Sequence, residues 1–287
     1  MFSSRERRMT VSEALQEATQ QLRTVAERPR LEAEILLADH LGCERSMLLL
    51  RDREEIEDAG SFWQKIQRRQ KHEPLEYITG RAGFYGEEFF VAPGVLIPRP
   101  ETEILVEEAA AMIRSRDASR IVEIGVGSGA VSVSLARLFP ELEIVATDIS
   151  SEALTVAGEN LRRFGLEDRI ELRQGSLLDP VPESVELIVS NPPYVPEGTP
   201  LEPNVADYEP HRALFAPGDG TELLRRIVLL GRERHVPVLC EMGYDQRAAM
   251  ESFFRDEGIE NYRFYRDLAG LDRGFVVSFE VEVKGEE

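Results

Sequence analysis

The stretch Ile121-Val122-Glu123-Ile124-Gly125-Val126-Gly127-Ser128-Gly129-Ala130-Val131 constrains the fold of this chain more than any other. A short β-branched run passes straight into alternating glycines and then into a helical pattern. Glycine takes positive φ without steric cost and lets backbone approach a neighbour closely, so the segment reads as strand, tight loop and helix start. The pattern then repeats. Strand-like runs occur at Arg120–Ile124, Glu143–Thr147, Ile170–Leu172, Val185–Ser190 and Val236–Cys240, with helical runs at Val131–Leu138, Glu152–Phe164 and Thr221–Leu230 between several of them. Strands alternating with helices imply an α/β fold with a doubly wound, mostly parallel sheet. No helix pattern separates Tyr262–Tyr265 from Gly274–Val283, so these two runs predict an antiparallel hairpin at one sheet edge.

The chain ahead of this region has a different texture. Residues 1–72 read as a helical domain. Thr10-Val11-Ser12-Glu13 is a capping-box pattern before an amphipathic run to Leu22, and Pro29 opens a second helix. Leu31, Ile35, Leu36 and Leu41 form a stripe on that helix, and Gly42 stops it. Shorter helical segments follow around Met47–Leu50 and from Glu55 to about Gln70. Residues 73–97 carry Gly80, Gly83, Gly86 and Gly94 among Phe84, Tyr85, Phe89 and Phe90, which predicts a β-hairpin linker. Residues 98–287 form the α/β domain, entered by a helix that Leu96-Ile97-Pro98-Arg99-Pro100-Glu101-Thr102-Glu103 initiates.

Composition narrows the function. Fifty-three acidic against thirty-four basic residues give a net charge of −19, the wrong sign for a protein that lives on phosphate backbones. Gln67-Arg68-Arg69-Gln70-Lys71-His72 is a short basic stretch that suits a solvated helix face. Cys43 and Cys240 lie far apart, and His40, His72, His211 and His235 are scattered, so no metal is expected. No apolar run reaches the length of a membrane span. The basic start Ser4-Arg5-Glu6-Arg7-Arg8 lacks the apolar stretch of a signal peptide, and a cytoplasmic protein is expected.

The apolar run Glu186-Leu187-Ile188-Val189-Ser190 ends in Asn191-Pro192-Pro193-Tyr194. Neither proline can donate to a sheet ladder, and each holds the residue before it in extended geometry. The result is a stiff cluster of acceptors, the Asn191 side-chain oxygen and nearby carbonyls, beside an aromatic ring. Two acceptors at fixed angles suit a planar NH2 group. A strand-to-loop turn closed by a buried tyrosine is the plainer use of the same residues. Asp148 ends the next strand after the glycine loop, where an acid can accept from ribose hydroxyls or serve as a helix N-terminal acid. Glu123 lies within the first strand just below the loop. There a carboxylate can attract a cationic amino group or form a structural ion pair.

Glu123-x-Gly125-x-Gly127-x-Gly129, Asp148 and Asn191-Pro192-Pro193-Tyr194, in that order, resemble the motifs of Rossmann-type S-adenosylmethionine-dependent methyltransferases that act on amino groups. Glu73-Pro74-Leu75-Glu76-Tyr77-Ile78-Thr79-Gly80, Leu96–Glu103, Tyr208-Glu209-Pro210 and Arg266-Asp267-Leu268-Ala269-Gly270 resemble the peptide chain release factor N5-glutamine methyltransferase family. That resemblance implies transfer of a methyl group from S-adenosyl-L-methionine, leaving S-adenosyl-L-homocysteine. The acceptor it implies is the glutamine in the Gly-Gly-Gln loop of bacterial class 1 release factors. It assigns the substrate amide to Asn191 and the Pro192 carbonyl, with Pro193 beside them and Tyr194 packing on the amide plane. It assigns the cofactor to Glu123, Gly125, Val126, Gly127, Ser128, Gly129, Asp148, Ser176, Leu177 and Asn191, with Ser176 and Leu177 flanking adenine. It gives the helical domain to substrate recognition. Many relatives carry Asp where this chain has Glu123, and an acid and an aromatic near Ser176-Leu177, so adenine contact here is expected to be apolar.

Two other readings use the same residues. An N6-adenine methyltransferase of DNA or RNA would hold an extruded base against Tyr194. The net charge and the lack of a long basic insertion argue against it, and no nucleic-acid or membrane partner is expected. A non-catalytic nucleotide-binding module would need only the glycine loop.

Overall fold

A computed structural model describes residues 9–279. The basic start at Ser4–Arg8 and the end of the expected Gly274–Val283 run lie outside the described residues. The chain divides into two compact units: one runs to Arg81 and includes Leu201–Tyr208, and the other holds Ala82–Pro200 and continues from Glu209.

The first unit is helical: α1 (Val11–Leu22), α2 (Pro29–His40), a 3-10 turn at Arg45–Leu49, α3 (Ala59–Gln70) and α4 (Leu75–Thr79). Thr10 and Glu13 form the expected reciprocal capping box, satisfying two otherwise orphaned N–H groups of α1. Leu15, Leu22, Leu36, Leu37, Phe62 and Ile66 make its core. On α2 the buried face is Ala33, Leu36, Leu37 and Ala38, while Leu31, Ile35 and Leu41 are only half-buried. Beside that face, Glu32 accepts from Arg69 Nε on α3 at 2.6 Å.

The second unit opens with the expected hairpin, β1 (Arg81–Phe84) and β2 (Glu87–Phe90), turned by Tyr85 and Gly86 at φ 50° and 78°. Pro98 and Pro100 delay the next helix, so α5 spans Thr102–Arg116. Then follow β3 (Arg120–Ile124), α6 (Ala130–Leu138), β4 (Glu143–Asp148), α7 (Ser151–Phe164), β5 (Ile170–Gln174), β6 (Ile188–Ser190) and the short β7 (Val195–Pro196). After α8 (Pro203–Ala206), which belongs with the first unit, come α9 (His211–Leu214), β8 (Phe215–Ala216), α10 (Glu222–Arg234), β9 (Val238–Glu241), α11 (Arg247–Asp256), β10 (Tyr262–Arg266) and β11 (Asp272–Val277).

Seven strands form the main sheet in the order β10-β11-β9-β6-β3-β4-β5. The five from β9 to β5 are parallel, and β11 and β10 close one edge as the expected antiparallel hairpin. β6 and β9 are fully buried, as parallel strands covered on both faces must be. Ile121, Ile144, Leu187 and Val189 face α5, α6 and α7, while Val122, Val145, Ile188 and Val238 face α10 and α11. Strand β6 is shorter than its apolar run. Glu186 turns its carboxylate back to accept the N–H groups of Ser119 and Arg120, at 2.6 and 2.8 Å, before the ladder begins. The order of the sheet reverses between β3 and β6, and a crevice opens there at the carboxyl ends of the strands. No helix among the described residues is long and apolar enough to cross a membrane.

Candidate active site

A cavity of about 620 Å³ occupies that crevice. Because Ile124 of β3 and Ser190 of β6 are register partners, the residues that leave these strands emerge side by side. A Cβ on Gly125 would lie 3.9 Å from the Asn191 carbonyl oxygen. The glycine loop and the Asn-Pro-Pro-Tyr segment are therefore two walls of one cavity.

The loop is held from both sides. Gly125 and Val126 both donate their N–H to Thr147 O on β4, at 2.8 and 3.0 Å. Gly125, Gly127 and Gly129 all have positive φ, which favours glycine. Asn160, fully buried on α7, donates to Ser128 O at 2.8 Å and to Phe90 O at 2.9 Å, tying the loop to the β1–β2 hairpin. Gly129 caps α6 and is not part of the cavity wall. It faces α7, where a Cβ would meet the Cα of Ala157 at 3.6 Å, so its service is close helix packing.

Two carboxylates serve the cavity in different ways. Asp148 accepts from Gly127 N at 3.1 Å and Ser150 N at 2.9 Å, and Ser150, not Asp148, caps α7. Glu123 is 4% exposed and accepts from both the backbone N–H and the hydroxyl of Ser132. Burial raises its pKa to about 8, against the lowering effect of the Ser132 hydrogen bonds and with a further push from Asp148. No basic side chain pairs with it through a salt bridge or hydrogen bond among the described residues.

Leu177 has φ 51°, a strained conformation for a branched side chain, and its carbonyl accepts from Thr147 Oγ1 at 3.0 Å. Leu177, the exposed Ser176 and the largely exposed Ile149 form an apolar lip with one hydroxyl beside Asp148.

Asn191, Pro192 and Pro193 line the cavity. Asn191 Nδ2 donates to Thr102 Oγ1 at 3.0 Å, which leaves Oδ1 as the open acceptor. Tyr194 is not in the wall, against the expectation that its ring faces the ligand. Its hydroxyl is drawn to Glu241 Oε1, 3.0 Å away, and its ring packs with the apolar cluster around α10 and α11. Its carbonyl accepts from Gln246 Nε2 at 2.8 Å.

Several of these partners carry no motif. Glu241, Ser132, Gln246 and Asn160 hold site residues but sit singly in segments of ordinary composition, whereas Thr102, which holds Asn191, lies within the Leu96–Glu103 segment. A weak signal existed for one further pair. Both the Leu96–Glu103 and Tyr208–Pro210 segments stand out in the sequence, and Glu209 accepts from Ile97 N at 3.0 Å and pairs with Arg99.

Comparison with known proteins decides the family. The model of the PrmC N-terminal domain matches residues 13–80, and that of the methyltransferase small domain matches residues 100–207. A release factor glutamine methyltransferase of Moorella thermoacetica is 40% identical over 277 residues, covering 93% of this chain and 98% of that protein. The chain belongs to the release factor glutamine methyltransferase family. A second member, from Koribacter versatilis, is 36% identical over 92% of this chain and 97% of its own length. Among solved structures, the human METTL16 catalytic domain in complex with MAT2A 3′UTR hairpin 6 has a TM-score of 0.53. It is 15% identical and covers 82% of this chain and 98% of that chain, a likeness of fold alone. Membership makes the cavity the candidate active site of a methyltransferase.

Proposed function

We propose that this protein transfers a methyl group from S-adenosylmethionine to N5 of the glutamine in the Gly-Gly-Gln loop of bacterial class 1 peptide chain release factors. The observation that carries the reading is the juxtaposition of Asn191 and Pro192 with the glycine loop in one cavity. The curated names of the relatives point the same way.

The residues present fit the cofactor. Glu123, a buried carboxyl with no basic partner among the described residues, suits the ammonium of the methionine portion, and Asp148 suits a ribose diol. Ile149 and Leu177 offer apolar surface for adenine, with Ser176 at its edge. Gly125, Val126, Gly127 and Ser128 supply backbone close to the methionine portion. When bound, the cofactor supplies an electrophilic methyl group. Asn191 Oδ1 and the Pro192 carbonyl accept the two N–H bonds of the substrate amide. They hold its nitrogen in place and favour a more pyramidal geometry, which frees the lone pair; the N–H proton that the methyl group replaces is lost to solvent. Pro193 stiffens the acceptors, and Tyr194 anchors the turn through its hydroxyl, which donates to Glu241. Orientation of this kind is worth up to roughly 7–11 kcal/mol in the best-aligned systems.

In this reading residues 1–72 recognise the release factor, 73–97 link, and 98–287 carry the chemistry in the cytoplasm, with no nucleic-acid or membrane partner. The roles separate by mutation. Asn191→Ala is expected to spare cofactor binding and abolish turnover. Asp148→Ala is expected to weaken cofactor binding by about 1–3 kcal/mol, the range for hydrogen bonds to a charged acceptor. Calorimetry of cofactor binding beside single-turnover rates tests both. Lost cofactor affinity in the first variant, or unchanged affinity in the second, contradicts the assignment.

A further inference from the structure

Gln246 stands at the start of α11, in the position of a helix N-cap, and is 5% exposed. Serine, threonine, aspartate and asparagine serve that position best, because a short side chain can reach the first unpaired N–H groups of the helix. The Gln246 side chain makes no cap bond. Its amide is spent elsewhere. Nε2 donates to Tyr194 O at 2.8 Å and to Asp219 O at 3.2 Å, while Oε1 accepts from Gly243 N at 2.8 Å. These partners fix the amide one way round: turned over, it would set its oxygen against two carbonyls and its NH2 against an N–H. Two glycines make room for it. A Cβ on Gly220 would lie 2.6 Å from Nε2, and one on Gly243 would lie 3.2 Å from both Cδ and Oε1.

One side chain thus joins the segments that follow β6, β8 and β9, and the first of them is the Asn-Pro-Pro-Tyr turn. That turn has few soft torsions. Pro192 and Pro193 fix their own φ and hold Asn191 and Pro192 extended, so Asn191 to Pro193 moves as a short rod. The near end of the rod is set by the β6 ladder, where Ser190 is the partner of Ile124 and Cys240, and by Asn191 Nδ2 on Thr102 Oγ1 at 3.0 Å. At the far end Tyr194 is held by its carbonyl on Gln246 and by its hydroxyl on Glu241 Oε1, 3.0 Å away. Beyond it the β7–β8 ladder is only two residues long. Releasing the carbonyl lets the rod swing about the end of β6, and the Pro192 carbonyl swings with it. A misplacement of about 1 Å can slow a reaction about 100-fold.

We propose that Gln246 is a positioning residue for methyl transfer: by pinning the Tyr194 carbonyl it aims the Pro192 carbonyl at the substrate amide. This rests on the reading of the cavity as a glutamine methylation site. Gln246 lies outside the cavity wall, so its effect belongs in the rate at saturation rather than in cofactor affinity.

The test compares wild type, Q246E, Q246M, Y194F and the double variants Q246E/Y194F and Q246M/Y194F. For each, kcat and KM with intact release factor, cofactor Kd by calorimetry and thermal unfolding are measured. Q246E keeps the length and the acceptor for Gly243 N but offers no N–H to Tyr194, and Q246M keeps the length with no N–H and no charge. At a temperature where they are folded, both are expected to lower kcat by about ten-fold or more, with cofactor Kd within about two-fold of wild type. Y194F removes only the hydroxyl anchor. Because two anchors hold one rod, each double variant is expected to lose about three-fold or more beyond the product of the single losses. A folded Q246E with wild-type kcat overturns the proposal. So does a double loss no greater than the product, or a loss of cofactor affinity as large as the loss of rate. Should Q246E unfold, Q246M and its double variant decide in its place. Unfolding of both below the assay temperature would mark a residue spent on stability and overturn the proposal as well. Wild type that methylates no glutamine brings down the parent reading together with the proposal, whereas active wild type with an unaffected Q246E overturns the proposal alone.

Discussion

At the scale of the residue, the site works by placing polar groups where burial makes them matter. Glu123 is the clearest case. Its pKa is about 8 in the folded protein against an ordinary value of 4.5, so folding takes up a proton between those values. Stability therefore falls as pH rises across that window, because the unfolded chain binds fewer protons there. E123Q removes the titrating group. The thermal midpoint of E123Q relative to wild type is expected to climb steadily from pH 5 to about 8, and a constant difference would contradict the assignment. The same carboxyl gives a binding signature if it meets the cofactor ammonium. Wild-type affinity is expected to strengthen from pH 6 to about 8 with proton release, and E123Q is expected to bind weakly without that release. Calorimetry in buffers of differing ionisation enthalpy reads both. Much of this was legible in the sequence: the acid below a glycine loop, the acid ending the next strand and the stiff Asn191-Pro192 pair. Glu241 was not. An acid at the end of an apolar run reads as a strand terminus facing water. It is buried only because β11 and β6 flank β9, a pairing that no local pattern encodes.

Elements rather than single residues hold the Asn-Pro-Pro-Tyr turn in place. Gly220, at φ 81°, passes so close to Tyr194 that an added Cβ would lie 2.1 Å from its carbonyl oxygen and 2.6 Å from Gln246 Nε2. Gly198 has nearly the same φ, 82°, with nothing within 4 Å. Alanine at Gly198 is expected to cost about 1–2 kcal/mol, the strain of a left-handed residue. Alanine at Gly220 adds overpacking of about 1–3 kcal/mol and is expected to lower kcat by displacing the turn. Urea unfolding beside turnover separates the two effects, and equal costs at both positions would show that the turn is not wedged against this loop. The strands β3, β4 and β9 and the helices α6, α7 and α10 follow from sequence periodicity, because continuous apolar runs and amphipathic stripes each carry a clear signal. Helix α11 does not. It buries only Met250 and Phe254 and starts at Gln246 with no side-chain cap, so its pattern is too sparse to separate from a loop. Thr102 stands in the Leu96–Glu103 segment that the sequence singles out, but no local pattern shows that its hydroxyl meets Asn191, 89 residues on.

At the scale of the whole molecule, a net charge of −19 sets what can approach the cavity. A partner gripped through phosphates would release counterions, and its binding would fall steeply with salt. A protein loop that offers one neutral amide makes no such demand. The central claim is that the rigid acceptors beside the glycine loop receive that amide. It is tested most directly by incubating the protein with isotopically labelled S-adenosylmethionine and, separately, intact release factor, DNA and ribosomal RNA across a salt series, with mass spectrometry of every product. The account expects one labelled methyl group on the glutamine of the Gly-Gly-Gln loop, none on either nucleic acid, and loss of the label when that glutamine is replaced by alanine. Label on adenine, with the alanine release factor reacting as well as the wild-type one, would contradict it.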